Sequence, residues 1–447
     1  MIMKIKTTIL CGMMAALTLT SCNDFLDITP TGKVIAKTGE EYRALLTYEY
    51  KYFPKDRYMT TVRTDEVLMD KAKTSSTDLD AYLDLWRWKD ENPSITTSYF
   101  TWRNYYHAIY IANYLIGHRA EITEATADEV EQLVGEAYMM RAYCHFLLVN
   151  LYAEPYTHCQ PATTRGVPMQ LEADVNAVPA SSSVEVVYGQ VIADLAEAEK
   201  HLKVSAWDEG QNYRFNTVSV AALRARTYLY MGRWQDALAA AQAVISQHGE
   251  LEDLNLSGAV LPNSYKSVES IVALERFSSN LFTVIDLPDP AFVARYRTGD
   301  QRRAKFYKRV TSSTYSLQKG GDDELSCSFR SAEAYLTAAE CAARLGNTAD
   351  AVGYLEPLLK ARLNADAYAT ADALILAMGQ EELVAEILDE RARELAFEGH
   401  RWYDLRRTTC PALVHTYDGV EYTLTEEKYT MRFPTEAVES NPEIERW

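Results

Sequence analysis

Three small residues recur at fixed offsets in two distant parts of this chain. Ala225, Gly232 and Ala237 return as Ala339, Gly346 and Ala351, each displaced by 114 residues. Small side chains at those positions let two helices approach closely, and glycine between them supplies the backbone freedom that a tight turn needs. The stretches "LYMGRWQDALAAA" and "AARLGNTADAVGYL" are therefore expected to be helical hairpins. Helical repeats that stack in tandem recur about every 34 residues. A displacement this much larger implies pairs separated by insertions, and argues against a regular superhelical solenoid.

The rest of the chain extends a mostly α reading. Thr126 and Glu129 stand at the spacing of a capping box, and Val130, Leu133, Val134, Ala137, Cys144, Leu147, Leu148 and Leu151 follow at three- and four-residue steps. This predicts one helix of about 25 residues with a single apolar face. A second helix is expected from Tyr99 to His118, with Tyr105, Ile109, Ala112 and Ile116 on one stripe. Between helices lie polar and aromatic stretches at 51–98, 153–183, 203–216, 250–330 and 408–447. Loops of that length in a folded protein are usually functional. The expected architecture is a scaffold of tetratricopeptide-type helix pairs, with long irregular loops carrying the binding surface.

The amino terminus suggests a compartment. Lys4 and Lys6 precede an apolar run from Ile9 to Leu19, about half of what a helix needs to cross the ~30 Å hydrocarbon core. A basic start, a short apolar run and small residues at its end form a secretory signal peptide, here residues 1–21. The segment Leu19-Thr20-Ser21-Cys22 looks like a bacterial lipobox, in which the cysteine is acylated, with palmitate among the chains, and becomes the first residue. Two or more acyl chains anchor stably where one does not. Residues 22–40 would then be a lipid tether and N-terminal segment, leading into a single domain that runs to 447.

Formal charge is −18 over 447 residues, which gives the chain no electrostatic attraction to a nucleic acid backbone. Tyrosine outnumbers phenylalanine by 30 to 12, and its flat apolar face with a polar tip suits wet interfaces, sugar rings and helix edges. Setting aside Cys11 and Cys22 leaves Cys144, Cys159, Cys327, Cys341 and Cys410, an odd number with no CxxC pair. Neither a redox motif nor a metal site is expected from that spacing, and Cys144 and Cys341 read as small buried hydrophobes. No P-loop, GxGxxG, GxSxG or HExxH occurs. Acidic pairs alone do not point to a glycosidase in a chain with 63 carboxylates, so neither catalysis nor a cofactor is expected. The segment "LDERARELAFEGHRWYDLRRT", residues 388–408, mixes both signs of charge with buried-type apolar residues. It reads as an ion-pair network satisfied inside the fold rather than as an anion site.

Taken in order, several segments resemble the SusD/RagB family of outer-membrane lipoproteins. "SCNDFLDITP" is similar to that family's lipobox and tether, "TWRNYYHAIYIANYLI" to its early helix, and "GEAYMMRAYCHFLLVNLYAEPY" to its long helix. "RFNTVSVAALRARTYLYMGRW" and "RSAEAYLTAAECAARLGNTADA" resemble its two central helix pairs, and "FPTEAVESNPEIERW" its closing segment. The most specific likeness is "LDERARELAFEGHRWYDLRRT" to the pattern ERxxELxFEGxRWxDLRR. Between Ile271 and Asp323 no family motif is matched. The resemblance implies a lipid-anchored protein on the outer face of the outer membrane. It would capture nutrients, most often oligosaccharides, and hand them to a SusC-like TonB-dependent transporter without covalent chemistry.

Sugar rings present apolar faces rimmed by hydroxyls, so their sites pair an aromatic platform with acids, amides and arginine. The segments "TVRTDEVLMD" and "YLDLWRWKDENP" supply such a set, and relatives often use the corresponding region. Trp86 and Trp88 are the expected stacking platforms, with Asp65 and Arg87 as polar partners; packing of both tryptophans beneath a loop is the alternative. Tyr296 and Arg297 form a second candidate, and Trp207 a third. The competing functions keep the fold and bind peptides or another nutrient, serve as a periplasmic peptide-binding adaptor, or hydrolyse a glycan.

Overall fold

The computed structural model describes residues 36–276, 288–320, 326 and 328–444. The signal peptide, Cys22 and most of the expected tether lie outside the described residues, as does Cys327. The elements named below belong to the unit that begins at Thr38.

Helix α1 (Gly39–Tyr52) leads into a 3-10 turn at Arg57–Arg63 and then α2 (Ser76–Trp86), α3 (Trp102–His118) and α4 (Ala127–Tyr152). A two-stranded ribbon, β1 (Arg165–Pro168) with β2 (Ser181–Ser183), connects to α5 (Val184–His201), α6 (Thr217–Tyr230) and α7 (Trp234–Gln247). Short elements follow: β3 (Ser270–Val272), α8 (Pro290–Val293), α9 (Gln301–Phe306), β4 (Tyr307–Arg309), β5 (Tyr315–Leu317) and β6 (Phe329–Arg330). The chain then forms α10 (Ser331–Arg344), α11 (Thr348–Arg362), α12 (Ala365–Leu376), α13 (Gln380–Glu394) and α14 (Arg401–Thr408). A hairpin of β7 (Leu413–Tyr417) and β8 (Val420–Leu424) and the short α15 (Thr435–Ser440) close the described chain. The fold is mostly α, and every described sheet has two antiparallel strands.

The two hairpins read from the repeat are present. Gly232 (φ +71°) turns α6 into α7, and Gly346 (φ +86°) turns α10 into α11. Ala225, Ala237, Ala339 and Ala351 are all buried at the crossing. Despite the long insertion between them, the hairpins are neighbours, since α7 packs on α10. The described parts of residues 250–330 contribute only short elements between the two pairs.

Helix α4 begins at the expected capping box, with Thr126 and Glu129 each accepting from the other's backbone N–H. The expectation of a single apolar face needs correction: from Gln132 to Tyr152 every residue except Tyr138 is buried. The helix is enclosed because α3 and α5 both pack along it. Its polar residues are satisfied by partners remote in sequence. Arg141 donates to Asp194 at 2.5 and 2.9 Å, Glu136 accepts from Arg43 and Tyr50, and Asn150 accepts from Tyr188. Gly135 permits that closeness, because a Cβ there would meet the Leu202 backbone and side chain at 2.7–2.9 Å.

Residues 388–408 form the expected ion-pair network, but most partners come from other elements. The Glu394 carboxylate accepts from Arg302 (2.9 Å), Arg330 (2.7 Å) and Arg362 (2.9 Å), all fully buried. Burial alone would raise the Glu394 carboxyl; the guanidiniums of Arg362, Arg330 and Arg302 outweigh it and hold the group well below the usual range. Arg407 donates to Glu340 at 2.8 and 2.6 Å, Arg391 to Asp404, and Arg330 and Lys319 engage Glu398. Arg406 donates to the Asn150 and Ala153 carbonyls, satisfying orphan acceptors at the end of α4. The described cysteines, Cys144, Cys159, Cys341 and Cys410, are free thiols, with Cys144 and Cys341 buried as expected.

Candidate functional site

The β7–β8 hairpin lies in a stretch that its sequence pattern suggests is irregular. Its two-residue turn is Asp418-Gly419, both left-handed (φ +51° and +78°), with Tyr417 paired to Val420. That twist matches the twist of the flanking strands, which is why Asp-Gly favours such a turn. Alternation along β7 sends His415 inward while Val414 and Thr416 stay exposed.

His415 fastens the hairpin to the end of α2. Its imidazole lies between the indoles of Trp86 and Trp88, 4.2 Å from each centroid and nearly parallel to both. Its Nδ1–H donates to the Trp86 carbonyl at 2.8 Å, and burial lowers its pKa, so the ring is neutral at pH 7. The indole N–H groups donate to the Val67 and Arg63 carbonyls at 3.0 and 2.9 Å. Trp86 and Trp88 are 1% and 2% exposed, so neither offers a ring face to a ligand. The stacking platforms expected from sequence instead form a clamp under the hairpin: His415 covers one face of each indole, both rings are buried, and of the two only Trp88 borders the neighbouring cleft.

Above that clamp lies a cleft of about 670 Å³. One wall is residues 87–91, and the other carries Tyr422, Glu427, Lys428, Thr430 and Arg432. Tyr422 is half-buried, on the half-hidden face of β8. The Arg87 guanidinium stands 5.8 Å from its ring centroid and also donates to Asp84 at 2.9 and 2.5 Å. Burial would raise the Asp84 carboxyl; the Ser94 N–H, Arg87 and Lys89 together hold it low. Asp90 is fixed by Arg63, which donates to both its oxygens at 2.7 and 2.9 Å and to the Lys428 carbonyl at 3.1 Å. Arg63 is fully buried with its guanidinium 4.8 Å from the Trp402 ring centroid, so a rigid cation ties both walls to the helical body. Arg432 and Glu91 form an ion pair across the rim.

Of the other residues expected at the site, Arg87 alone lines this cleft. Asp65 accepts from Arg401 (2.9 Å twice) and Arg295 (3.0 Å), which hold its carboxyl low against the burial that would raise it. Tyr296 is buried, donating to the Arg393 carbonyl at 2.7 Å, and Arg297 pairs with Glu386 on α13 at 2.5 Å. Trp207 lines a separate cavity of about 200 Å³, its indole donating to the Phe215 carbonyl and Arg214 standing 5.0 Å from its centroid. The sequence reading passes over Tyr422, although the Asp-Gly turn in "YDGVEYTL" marks the strand that carries it.

The cleft combines the half-buried ring of Tyr422 with carboxylates, guanidiniums, the amines of Lys89 and Lys428, and the Thr430 hydroxyl. Their mixed sign selects no net charge, while their spacing presents many donors and acceptors to a neutral polar ligand.

Comparisons with known proteins agree with the fold. Residues 24–229 match a family model described as "Starch-binding associating with outer membrane", and residues 275–446 match the SusD family model. SusD-like protein P38 of Formosa agariphila is 24% identical, over 87% of this chain and 88% of the relative. A SusD superfamily structure from Bacteroides fragilis superposes with a TM-score of 0.77 at 22% identity, covering 92% of this chain and all of that one. A structure titled as a laminarin binding SusD-like protein gives a TM-score of 0.65 at 20% identity, covering 92% of this chain and 99% of that one. Together the two SusD-type family models span residues 24–229 and 275–446, and the fold is that of SusD superfamily structures.

Proposed function

We propose that the protein binds oligosaccharides at the cell surface and delivers them to a SusC-like TonB-dependent transporter in the outer membrane. The observation that carries this reading is the cleft between residues 87–91 and the β8 wall. Its Tyr422 ring can face the apolar side of a sugar, while Arg87, Asp90, Glu427 and Lys428 meet the hydroxyl rim. The laminarin-binding structural neighbour and the starch-binding description of the family model support a glycan as cargo. Among the described residues no helix is long and apolar enough to cross a membrane, and in this reading attachment rests on acylation of Cys22.

The role is capture and transfer, without bond cleavage. A glycan array carrying laminarin and starch oligosaccharides should show retention by the purified protein, and incubation should release no product. Affinity purification from the native membrane should recover a TonB-dependent transporter, and external protease should digest the protein on intact cells. No retention of any glycan, or protection from external protease, would overturn the assignment.

A further inference from the structure

His158, Cys410 and Glu426 come from three separate segments and meet at one place. Each offers a ligand atom, and these atoms lie within 4.8 Å of one another. His158 ends the 3-10 turn Tyr156–His158 after α4, Cys410 follows α14, and Glu426 opens the 3-10 turn Glu426–Tyr429 after β8. Spacings of 252 and 16 residues match no metal-binding pattern, which is why counting cysteines gives no hint of the site.

The tautomer of His158 is fixed by its neighbour. Its Nε2 lies 2.9 Å from the Thr408 carbonyl, which can only accept, so Nε2 carries the proton and Nδ1 carries the lone pair. A ring nitrogen held by a backbone carbonyl while the other faces outward is the usual arrangement of a metal-binding imidazole. Nδ1 faces Cys410 Sγ at 4.0 Å and Glu426 Oε1 at 3.8 Å. Around a tetrahedral zinc, bond lengths of ~2.3 Å to sulfur and ~2.0–2.1 Å to nitrogen or oxygen put N and S about 3.6 Å apart, and N and O about 3.4 Å apart. The two distances from Nδ1 are each about 0.4 Å longer than those spacings, and the thiol and carboxylate lie within 4.8 Å of each other, so the ligands close in by small side-chain movements as the ion binds.

Cys410 is held in place by its left-handed backbone (φ +42°) and by its N–H bond to the Leu405 carbonyl at 3.0 Å. The Cys410 thiol donates to the Arg406 carbonyl at 3.1 Å, a bond that metal binding would replace, while Cys159, next to His158 in sequence, turns its thiol to the Tyr156 carbonyl at 3.9 Å. His158 and Glu426 are exposed, which leaves an entry path and room for a water as fourth ligand.

We infer that His158 Nδ1, Cys410 Sγ and a Glu426 carboxylate oxygen form a zinc site that braces the wall of the cleft. Zn²⁺ suits a mixed nitrogen, sulfur and oxygen set, whereas Ca²⁺ and Mg²⁺ take oxygen ligands. As the Zn–S bond forms, the thiol proton leaves to solvent. The ion would join the turns after α4, α14 and β8, and the residues next to Glu426 are Glu427 and Lys428 of the cleft wall.

The test is calorimetric titration of the metal-free, tag-free protein with ZnCl₂ under a non-thiol reductant. One equivalent should bind and raise the melting temperature. Cys410→Ser and His158→Gln should each weaken binding at least tenfold, with circular dichroism of both variants confirming that they fold. Co²⁺ substituted for zinc should produce thiolate-to-cobalt charge-transfer absorption, absent in Cys410→Ser. Absence of one-to-one binding, or equal affinity in both folded variants, would overturn the assignment.

Discussion

Replacing Glu394 with glutamine should cost the fold about 3 kcal/mol, the lower end of the range for removing one partner from a buried ion pair. The carboxylate accepts from Arg302, Arg330 and Arg362, all of them buried. Glutamine keeps the volume but loses the charge and turns an NH₂ group toward guanidinium donors, so at least one donor is left without an acceptor. The loss is tempered because Arg302 keeps Asp300 and Glu390, Arg330 keeps Glu269 and Glu398, and Arg362 keeps Glu269. Urea unfolding followed by far-ultraviolet circular dichroism measures the difference, with an unchanged slope showing that stability alone has moved. Glu356→Gln, which breaks an exposed pair with Lys360, is the control and should leave the midpoint in place. A midpoint for Glu394→Gln within about 0.5 kcal/mol of wild type would refute the view that this network holds α9, β6, α11 and α13 together.

Three further outcomes follow from the same structure. Burial would raise the Glu340 carboxyl, but Arg407, Arg344 and Arg391 pull it down to about 2. Its contribution of about 3 kcal/mol is therefore complete above pH ~4.5 and lost as pH falls toward 2; Glu340→Gln should be destabilised at pH 7 and converge on wild type in acid unfolding. Glu66 is the reverse case: burial lifts its carboxyl to about 8, against the Phe397 N–H that favours the charge. Between pH ~4.5 and ~8 the folded state keeps a proton that the unfolded chain releases, so stability falls as pH rises through that window, and Glu66→Gln should remove a loss on the order of 5 kcal/mol at pH 9. Trp86→Ala should lower stability by about 3–5 kcal/mol, measured by denaturant unfolding, while the folded fraction retains its glycan affinity; a selective loss of affinity would return Trp86 to the site.

Much of the scaffold is legible in the sequence because local rules govern it. Gly232 and Gly346 announce their turns, and Thr126 with Glu129 announces the start of α4. The enclosure of α4 is hidden, since Glu136, Arg141 and Asn150 look like a solvent face until Arg43, Asp194 and Tyr188 arrive from other helices. The tryptophans fail for the same reason. Nothing near Trp86 shows whether its ring is bare or covered, and the residue that covers it, His415, is 329 positions away. Arg87 is found because it sits on a short local turn beside Asp84. Tyr422 depends on a hairpin whose Asp-Gly signal is local, but whose docking on the α2 end is not.

The most direct measurement is calorimetric titration of wild type and Tyr422→Ala with laminarin oligosaccharides and with maltooligosaccharides. If the cleft holds the sugar, wild type binds one of these series, and Tyr422→Ala loses about 1–2 kcal/mol of affinity, roughly five- to thirtyfold, from the missing aromatic face. Equal affinity in the two folded proteins would place the glycan elsewhere and contradict the assignment of this cleft.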